Sequence, residues 1–339
     1  MSSAGLLAAL TAIAIYAGMF AAGRHGAAHG LDGFDQTAIR FGVSALLLLP
    51  FAWAGATPAF RRLGAGRLLA LFVLGGAPYS CVFLGALVFA PVAYGAALVP
   101  GLQPLAVIAL SAVLLAQRPA LPNLIGTLVC LGGLLLVLVD QQRSVAAGSG
   151  VLLGVGLFVL SAALWGGYAV ALKAWKVEPR EVLATTAPLS ALLYLPSYML
   201  WRGVEPILAA PATALMVQVV YQGALVGVAA LVLYAWAVKA AGSTPVAALA
   251  PAMPIMAALI GLAVLGEAPS TLQWAGLAVV TAGLLAGGSG RHCGGRARPD
   301  QRVRTSSLAW LKDPLWVGGS CSVAILKQAF RPAAMTDRV

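Results

Sequence analysis

The chain has 339 residues, of which 61% are hydrophobic and only 9% are charged, and its formal net charge is +11. A soluble globular domain carries about 25% charged residues. This composition therefore excludes a soluble globular protein whose whole surface faces water. The four cysteines form no C-x-x-C pattern, which argues against a zinc or redox motif and favours free, buried thiols.

Long apolar runs follow one another along the chain, and about 20 such residues cross the hydrocarbon layer of a membrane. No Lys or Arg precedes the first run, so we expect a retained helix and not a cleaved signal peptide. The runs predict an all-α integral membrane protein with ten transmembrane helices, at residues 5–22, 34–53, 68–89, 92–115, 121–139, 150–172, 181–200, 216–239, 244–265 and 271–288.

An internal repeat divides the chain, because residues 91–135 recur without a gap at 241–285. The alignment places Pro104 on Pro254, Gln117 on Glu267, Gly126 on Gly276 and Gly133 on Gly283. Earlier in each half, Asp35 falls on Glu181 and Tyr16 falls on Trp165. We therefore predict two related five-helix repeats, at residues 1–145 and 146–288.

The charges between the predicted spans indicate how the chain crosses the membrane. With a cytoplasmic N-terminus, the inner loops hold Arg61, Arg62, Arg67, Arg118, Lys173, Lys176, Arg180 and Lys239, whereas the outer loops hold Arg24, Arg143 and Arg202. Cytoplasmic loops carry such an excess, so both termini are predicted to be cytoplasmic. Because five is an odd number, the second repeat must be inverted, an arrangement typical of secondary transporters.

The motifs of the second repeat point to a known family. They read Pro251-Ala-Met-Pro254, Leu265-Gly266-Glu267 and Gln273-Trp274-Ala275-Gly276. Together with Arg40 and Trp165–Gly166, they resemble the EamA-like branch of the drug/metabolite transporter superfamily over residues 5–288. The resemblance implies a multi-pass inner (plasma) membrane protein that exports, or less often imports, a small metabolite or drug. The first repeat departs from the family pattern, with Ala116-Gln117 where Gly-Glu is usual.

Prolines mark where a binding cavity is expected. Two lie in the predicted fourth helix, Pro100 and Pro104, and three in the ninth, Pro245, Pro251 and Pro254, of which Pro100, Pro104, Pro251 and Pro254 are the candidate helix breaks. A proline inside a helix removes a backbone hydrogen bond and kinks or breaks the helix. Broken helices at matching positions of two repeats are typical of a transporter's substrate site, although prolines that only bend a membrane helix fit the pattern equally well.

Arg40 lies inside the predicted second helix, where contact with lipid would be costly. It can bind a substrate carboxylate or phosphate through its planar fork, or it can pair with Asp35 or with carbonyls at a helix end. Gln103, beside Pro104, and Gln222 are the other polar candidates for the substrate site. Trp165, Tyr168 and Tyr79 are the aromatic candidates, although such residues also serve as core or interface anchors.

Three carboxylates near helix ends, Glu267, Asp35 and Glu181, are the candidates for coupling transport to an ion. We expect no catalytic residue, metal site or cofactor. The chain has neither a phosphate-binding G-x-x-x-x-G-K-[ST] motif nor the H-E-x-x-H and G-x-S-x-G motifs of hydrolases. A membrane scaffold without transport activity, or an intramembrane enzyme, are the alternative interpretations.

The expected partners are a small-molecule substrate and the lipid bilayer, with a homodimer as a further option and no nucleic acid. The last segment, residues 289–339, is basic and carries no helix long enough to span. We predict a disordered cytoplasmic tail that can touch anionic headgroups. The identity of the substrate does not follow from the sequence.

Overall fold

A computed structural model describes residues 3–116, 119–143, 150–177 and 179–289. Within these ranges the chain is helical apart from short turns and connecting residues, and it contains no β-strand. The predicted tail at 289–339 therefore lies outside the described residues except for Ser289, and so do Gln117 and Arg118.

The helices follow one another closely along the chain. They are α1 Ser3–Ala28, α2 Gly33–Gly75, α3 Ala77–Phe89, α4 Val92–Leu115, α5 Leu121–Arg143, α6 Gly150–Ala174, α7 Pro179–Arg202, α8 Glu205–Ala209, α9 Ala212–Val217, a π-helix Gln218–Ala229, α10 Ala230–Ala241, α11 Ser243–Leu249, a 3₁₀ turn Ala250–Ala252, α12 Met253–Leu265 and α13 Thr271–Ser289. A capping box begins α2, because Asp32 Oδ1 accepts from the N–H groups of Phe34 and Asp35 while Asp35 Oδ2 accepts from Asp32 N.

Within the described ranges, seven helical stretches are long and apolar enough to cross a membrane. They are Ser3–Ala28, Ala59–Phe89, Val92–Leu115, Leu121–Val139, Gly150–Ala174, Ala212–Ala241 and Thr271–Gly288. The predicted spans at 34–53, 181–200 and 244–265 are helical, in α2, α7 and α11–α12, but do not meet both criteria. The described part of the chain is thus all-helical, with the several apolar helices of a multi-pass membrane protein.

The helices are interrupted unequally in the two halves. The 3₁₀ turn Ala250–Ala252 separates α11 from α12, so Pro251 lies at a break and Pro254 is the second residue of α12. By contrast, α4 continues as one helix through Pro100 and Pro104. The sequence left two alternatives at both places, a broken helix or a bent one; the structure has a 3₁₀ turn at Pro251 and a continuous helix through Pro100 and Pro104.

Two helices from opposite halves, α5 and α13, pack tightly along a line of glycines. A Cβ on Gly133 would lie 2.7 Å from the carbonyl oxygen of Gly276, and one on Gly126 would lie 2.6 Å from that of Gly283. Later residues of α5 therefore meet earlier residues of α13, so the two helices are antiparallel. Small residues allow such close approach of backbones in membrane proteins.

Candidate functional site

Arg40 is only partly buried on α2. Its Nη1 donates to the thioether sulfur of Met19 at 3.6 Å, which is a weak acceptor. Among the described residues it pairs with no carboxylate. The expected alternative of a pair with Asp35 is therefore wrong, because Asp35 contacts other groups.

Two tyrosines lie within electrostatic range of Arg40. They are Tyr16, on α1, and Tyr79, on α3. In the described part of the chain, neither hydroxyl has a hydrogen-bond acceptor or donor. We call Arg40, Tyr16, Met19 and Tyr79 the Arg40 cluster.

A row of aromatic side chains continues from this cluster into the second half. The ring centroids of Tyr79 and Trp165 are 5.0 Å apart, and those of Trp165 and Tyr168 are 5.3 Å apart. Such tilted pairs are favourable contacts between aromatic rings. Tyr168 itself is buried against the backbone of Gly75, with its hydroxyl 3.3 Å from the Thr186 hydroxyl. The structure thus brings together Arg40, Tyr79, Trp165 and Tyr168.

Gln103 is half-buried on α4, one turn before Ala106. Ala106 packs on Gly166, next to Trp165, where an added Cβ would lie 2.7 Å from the Ala106 Cβ. Gln103 is therefore on the helix that borders the aromatic row, but the structure shows no hydrogen bond between its side chain and a described residue.

Gln222 connects the π-helix to α1 through the backbone of Met19, a member of the Arg40 cluster. It lies in the π-helix, four residues after Gln218, and both side chains are fully buried. Gln218 donates to the Ala22 carbonyl at 2.7 Å and Gln222 donates to the Met19 carbonyl at 3.3 Å. The two amides fix this segment against α1, and Gln222 reaches the cluster through Met19. Their Oε1 atoms have no donor among the described residues.

Glu267 lies where α1, α3, α4 and α12 meet. Its Oε1 accepts from Arg24 Nε at 2.7 Å, and its Oε2 accepts from the backbone N–H of Val92 at 2.9 Å. Arg24 also donates to the carbonyls of Leu87 and Val88, both at 3.0 Å. These five residues form the Glu267 corner, which connects the first half of the chain to the second.

The other two candidate carboxylates connect α2 to α7 at opposite ends. Asp35, at the start of α2, accepts from Arg202 Nε at 2.9 Å and from the Tyr198 hydroxyl at 2.8 Å, near the end of α7. Glu181, at the start of α7, accepts from Arg62 Nε at 2.6 Å, late in α2. The two helices are therefore antiparallel, with one ion bridge near each end.

Asp32 completes the bridge beside Asp35, because its Oδ2 lies 2.8 Å from Arg202 Nη2. Burial raises the pKa of the Asp32 carboxyl, although two backbone N–H groups and the Arg202 guanidinium favour its charged form. Asp32, Arg24, Arg62 and Arg202 were missed by sequence reasoning as parts of these bridges. The only signal for these bridges in the sequence was that an Arg lies near the end of one helix and a carboxylate at the start of another.

The chain is similar to proteins that are already known. The EamA-like transporter family matches residues 3–139 and again residues 152–286. A protein from Bacillus subtilis (strain 168), called uncharacterized transporter YwfM, is 28% identical over 270 residues, which are 78% of this chain and 88% of that protein. A solved crystal structure with 21% sequence identity shares the fold with a TM-score of 0.52, covering 85% of this chain and 98% of the other.

Within the described ranges, no group of three His, Cys, Asp or Glu side chains could hold a metal ion. The two family matches, one in each half, together cover most of the chain and correspond to the two repeats found in the sequence. The protein is a transporter and not an enzyme, and it belongs to the EamA-like transporter family.

Proposed function

We propose that this protein is a secondary transporter that exports a small metabolite or drug across the inner (plasma) membrane by alternating access. Its ten membrane helices form two inverted repeats. The substrate site lies between the repeats, at the Arg40 cluster and the aromatic row of Tyr79, Trp165 and Tyr168, with Gln103 beside it. No second function is favoured by a specific contact.

The reciprocal contacts between α5 and α13 carry this proposal. Gly126 lies against Gly283 and Gly133 lies against Gly276. The sequence repeat exchanges Gly126 with Gly276 and Gly133 with Gly283, so it converts one contact into the other. Reciprocal contacts of this kind are expected around a two-fold axis. Because the helices are antiparallel, the axis runs across them, in the plane of the membrane.

Cys130 and Val280 support the same axis. They are partners in the sequence repeat, and they also contact each other, since the Cys130 thiol donates to the Val280 carbonyl at 3.5 Å. A residue that contacts its own repeat partner must lie on the axis. Inverted repeats of this type allow one half to rock against the other around a central site.

The orientation follows from the distribution of positive charge. We propose that the end of the bundle with Glu267, Asp35 and Arg202 faces outside, and that the end with Glu181 and Arg62 faces the cytoplasm. Arg61 and Arg67 are exposed at the latter end. An excess of Lys and Arg on cytoplasmic loops supports this arrangement, with both termini in the cytoplasm.

The Glu267 corner supports the direction of transport. The offset that places Tyr16 on Trp165 carries Arg24 onto Lys173, and Glu267 corresponds to Gln117. The Arg24–Glu267 ion pair at the outer end thus corresponds to Lys173 and Gln117 at the cytoplasmic end. A lysine and a neutral amide cannot form an ion pair. This difference favours the state that is closed outside and open to the cytoplasm. An exporter takes up its substrate in that state.

A two-step experiment tests the proposal. Purified protein is first screened by thermal shift against amino acids, nucleosides, sugar phosphates and cationic drugs, because a ligand of the folded state raises the Tm. Each hit is then tested for counterflow in proteoliposomes, with protein-free vesicles as the control. We expect exchange of the hit, lost in Trp165→Ala. Hits that bind without exchange would favour the scaffold alternative.

A further inference from the structure

The Arg40 cluster has an excess of hydrogen-bond donors. A guanidinium offers five N–H donors and no acceptor, and here the thioether of Met19 is its only hydrogen-bond acceptor among the described residues. The hydroxyls of Tyr16 and Tyr79 add two further donors within electrostatic range. The Arg40 cluster therefore contains no negatively charged side chain and no strong hydrogen-bond acceptor.

The three carboxylates that the sequence suggested as coupling candidates are each bound to another arginine. Asp35 contacts Arg202, Glu181 contacts Arg62 and Glu267 contacts Arg24. Arg40 therefore has no internal counter-ion in the described part of the chain. Enclosing a charge is costly unless it is paired and hydrogen-bonded. A ligand that brings an anion would remove that cost, whereas a cationic ligand would increase it.

Arg40 is only partly buried, so a ligand can reach its side chain. Tyr79, which lies within electrostatic range of Arg40, contacts Trp165 in the second half, with 5.0 Å between their ring centroids. An anionic group at Arg40 would therefore leave the rest of a bound molecule beside the aromatic row, between the two repeats.

We propose that the substrate carries an oxyanion, a carboxylate or a phosphate, which binds the Arg40 guanidinium and accepts hydrogen bonds from the hydroxyls of Tyr16 and Tyr79. This inference rests on the proposed function, since it names the substrate class of the same site. A planar guanidinium suits both oxyanions, because it can donate two parallel hydrogen bonds to either.

Thermal unfolding of the detergent-purified, full-length protein tests the inference with simple probes. Benzoate is compared with benzamide, succinate with succinamide, and glucose 6-phosphate with glucose, at constant ionic strength. We expect at least one oxyanion to raise the Tm by about 2 °C at about ten times its Kd, and the neutral partner to leave the Tm unchanged. If no oxyanion stabilises the protein more than its neutral partner does, the inference is wrong.

Matched variants assign the effect to the site. Arg40→Gln should abolish the stabilisation by the oxyanion, and Arg67→Gln, which removes an exposed arginine elsewhere, should retain it. Tyr79→Phe keeps the ring beside Trp165 and should weaken binding about tenfold. If Arg40→Gln does not fold, Arg40→Lys keeps the charge and Tyr79→Phe still reports on the site. Stabilisation that is equal in wild type, Arg40→Gln and Tyr79→Phe would overturn the inference.

Counterflow in proteoliposomes separates this inference from the proposed function. If a neutral or cationic compound is exchanged at the same rate by wild type and by Arg40→Gln, the protein is a transporter but its substrate is not bound through an oxyanion. If oxyanions stabilise the wild type through Arg40 and no compound is exchanged, the site is correct and the transport function fails.

Discussion

The contact between α5 and α13 is symmetric between the two halves of the chain, whereas the Glu267 corner is not. In the first, every close approach has a counterpart: Gly126 with Gly283, and Gly133 with Gly276. In the second, the carboxylate of Glu267 binds Arg24, while the corresponding position in the first repeat is the neutral Gln117. The symmetric contact between backbones is suited to a part of the molecule that stays fixed. The asymmetric ion pair is suited to stabilising one conformational state.

The α2/α7 pair lies between these two extremes. Each helix begins with a carboxylate that binds an arginine near the end of the other, but the two bridges are not equally buried. The Asp35 side chain is fully buried, whereas Arg62 at the other end is 42% exposed. Three experiments sharpen this comparison, in order of decreasing expected effect.

Substitution of the glycines should break the symmetric contact. In Gly133→Val the new Cβ would lie 2.7 Å from the Gly276 oxygen and 2.8 Å from the Val280 nitrogen. Because backbone atoms cannot rotate away, we expect the free energy of unfolding to fall by about 3 kcal/mol or more. Thermal unfolding in detergent measures the change.

Two further variants define the outcome. Gly283→Val changes the repeat partner and should be equally damaging, since its Cβ would lie 2.7 Å from the Gly126 oxygen. Gly132→Val is the control, because Gly132 has open space around it and is exposed. A Gly133→Val protein that unfolds at the same temperature as Gly132→Val would contradict the tight contact.

Neutralising the bridges between α2 and α7 should have a moderate and unequal effect. Asp35→Asn leaves Arg202 with Asp32 alone, and we expect the free energy of unfolding to fall by about 2 kcal/mol because a buried pair is broken. Glu181→Gln should cost about 1 kcal/mol, because solvent screens the more exposed Arg62. Chemical unfolding in detergent compares the two variants, with the exposed Glu205→Gln as the control. Equal effects of the two would argue against the difference in burial.

Changing the Glu267 corner should alter the balance of states and have little effect on folding. Spin labels on Ala28 and Ala268, both exposed, report the distance across this corner in a cysteine-free background. Glu267→Gln removes an ion pair worth about 1 kcal/mol, so we expect about a fivefold gain in the population with the longer distance.

The reverse change tests the asymmetry itself. Gln117→Glu supplies the missing carboxylate in the first repeat, where Lys173 corresponds to Arg24. We expect the short distance between Ala28 and Ala268 to become less populated, because closure of the opposite end is now favoured as well. If Glu267→Gln and Gln117→Glu both leave the distance distribution of the wild type unchanged, the corner does not control the state of the transporter.

Much of the helical framework follows from the sequence. A run of about 20 apolar residues can be read directly from the sequence. The repeated positions of proline, glycine and carboxylate residues can be read in the same way. Seven of the ten predicted spans coincide with described helices long and apolar enough to cross a membrane, and the same patterns selected Arg40, Tyr79, Trp165 and Tyr168. They did not predict that α4 continues through Pro100 and Pro104 while the other half is interrupted at Pro251. Whether a proline bends or breaks a helix depends on the residues packed around it.

The pairing of charges was decided by tertiary structure alone. Arg24 and Glu267 are 243 residues apart in the chain, Asp35 and Arg202 are 167 apart, and Arg62 and Glu181 are 119 apart. Local sequence cannot select among such partners, because only antiparallel packing brings the start of one helix beside the end of another. For the same reason the sequence left Arg40 with Asp35 as an expected partner. In the folded chain Asp35 binds Arg202, and Arg40 has no carboxylate partner among the described residues.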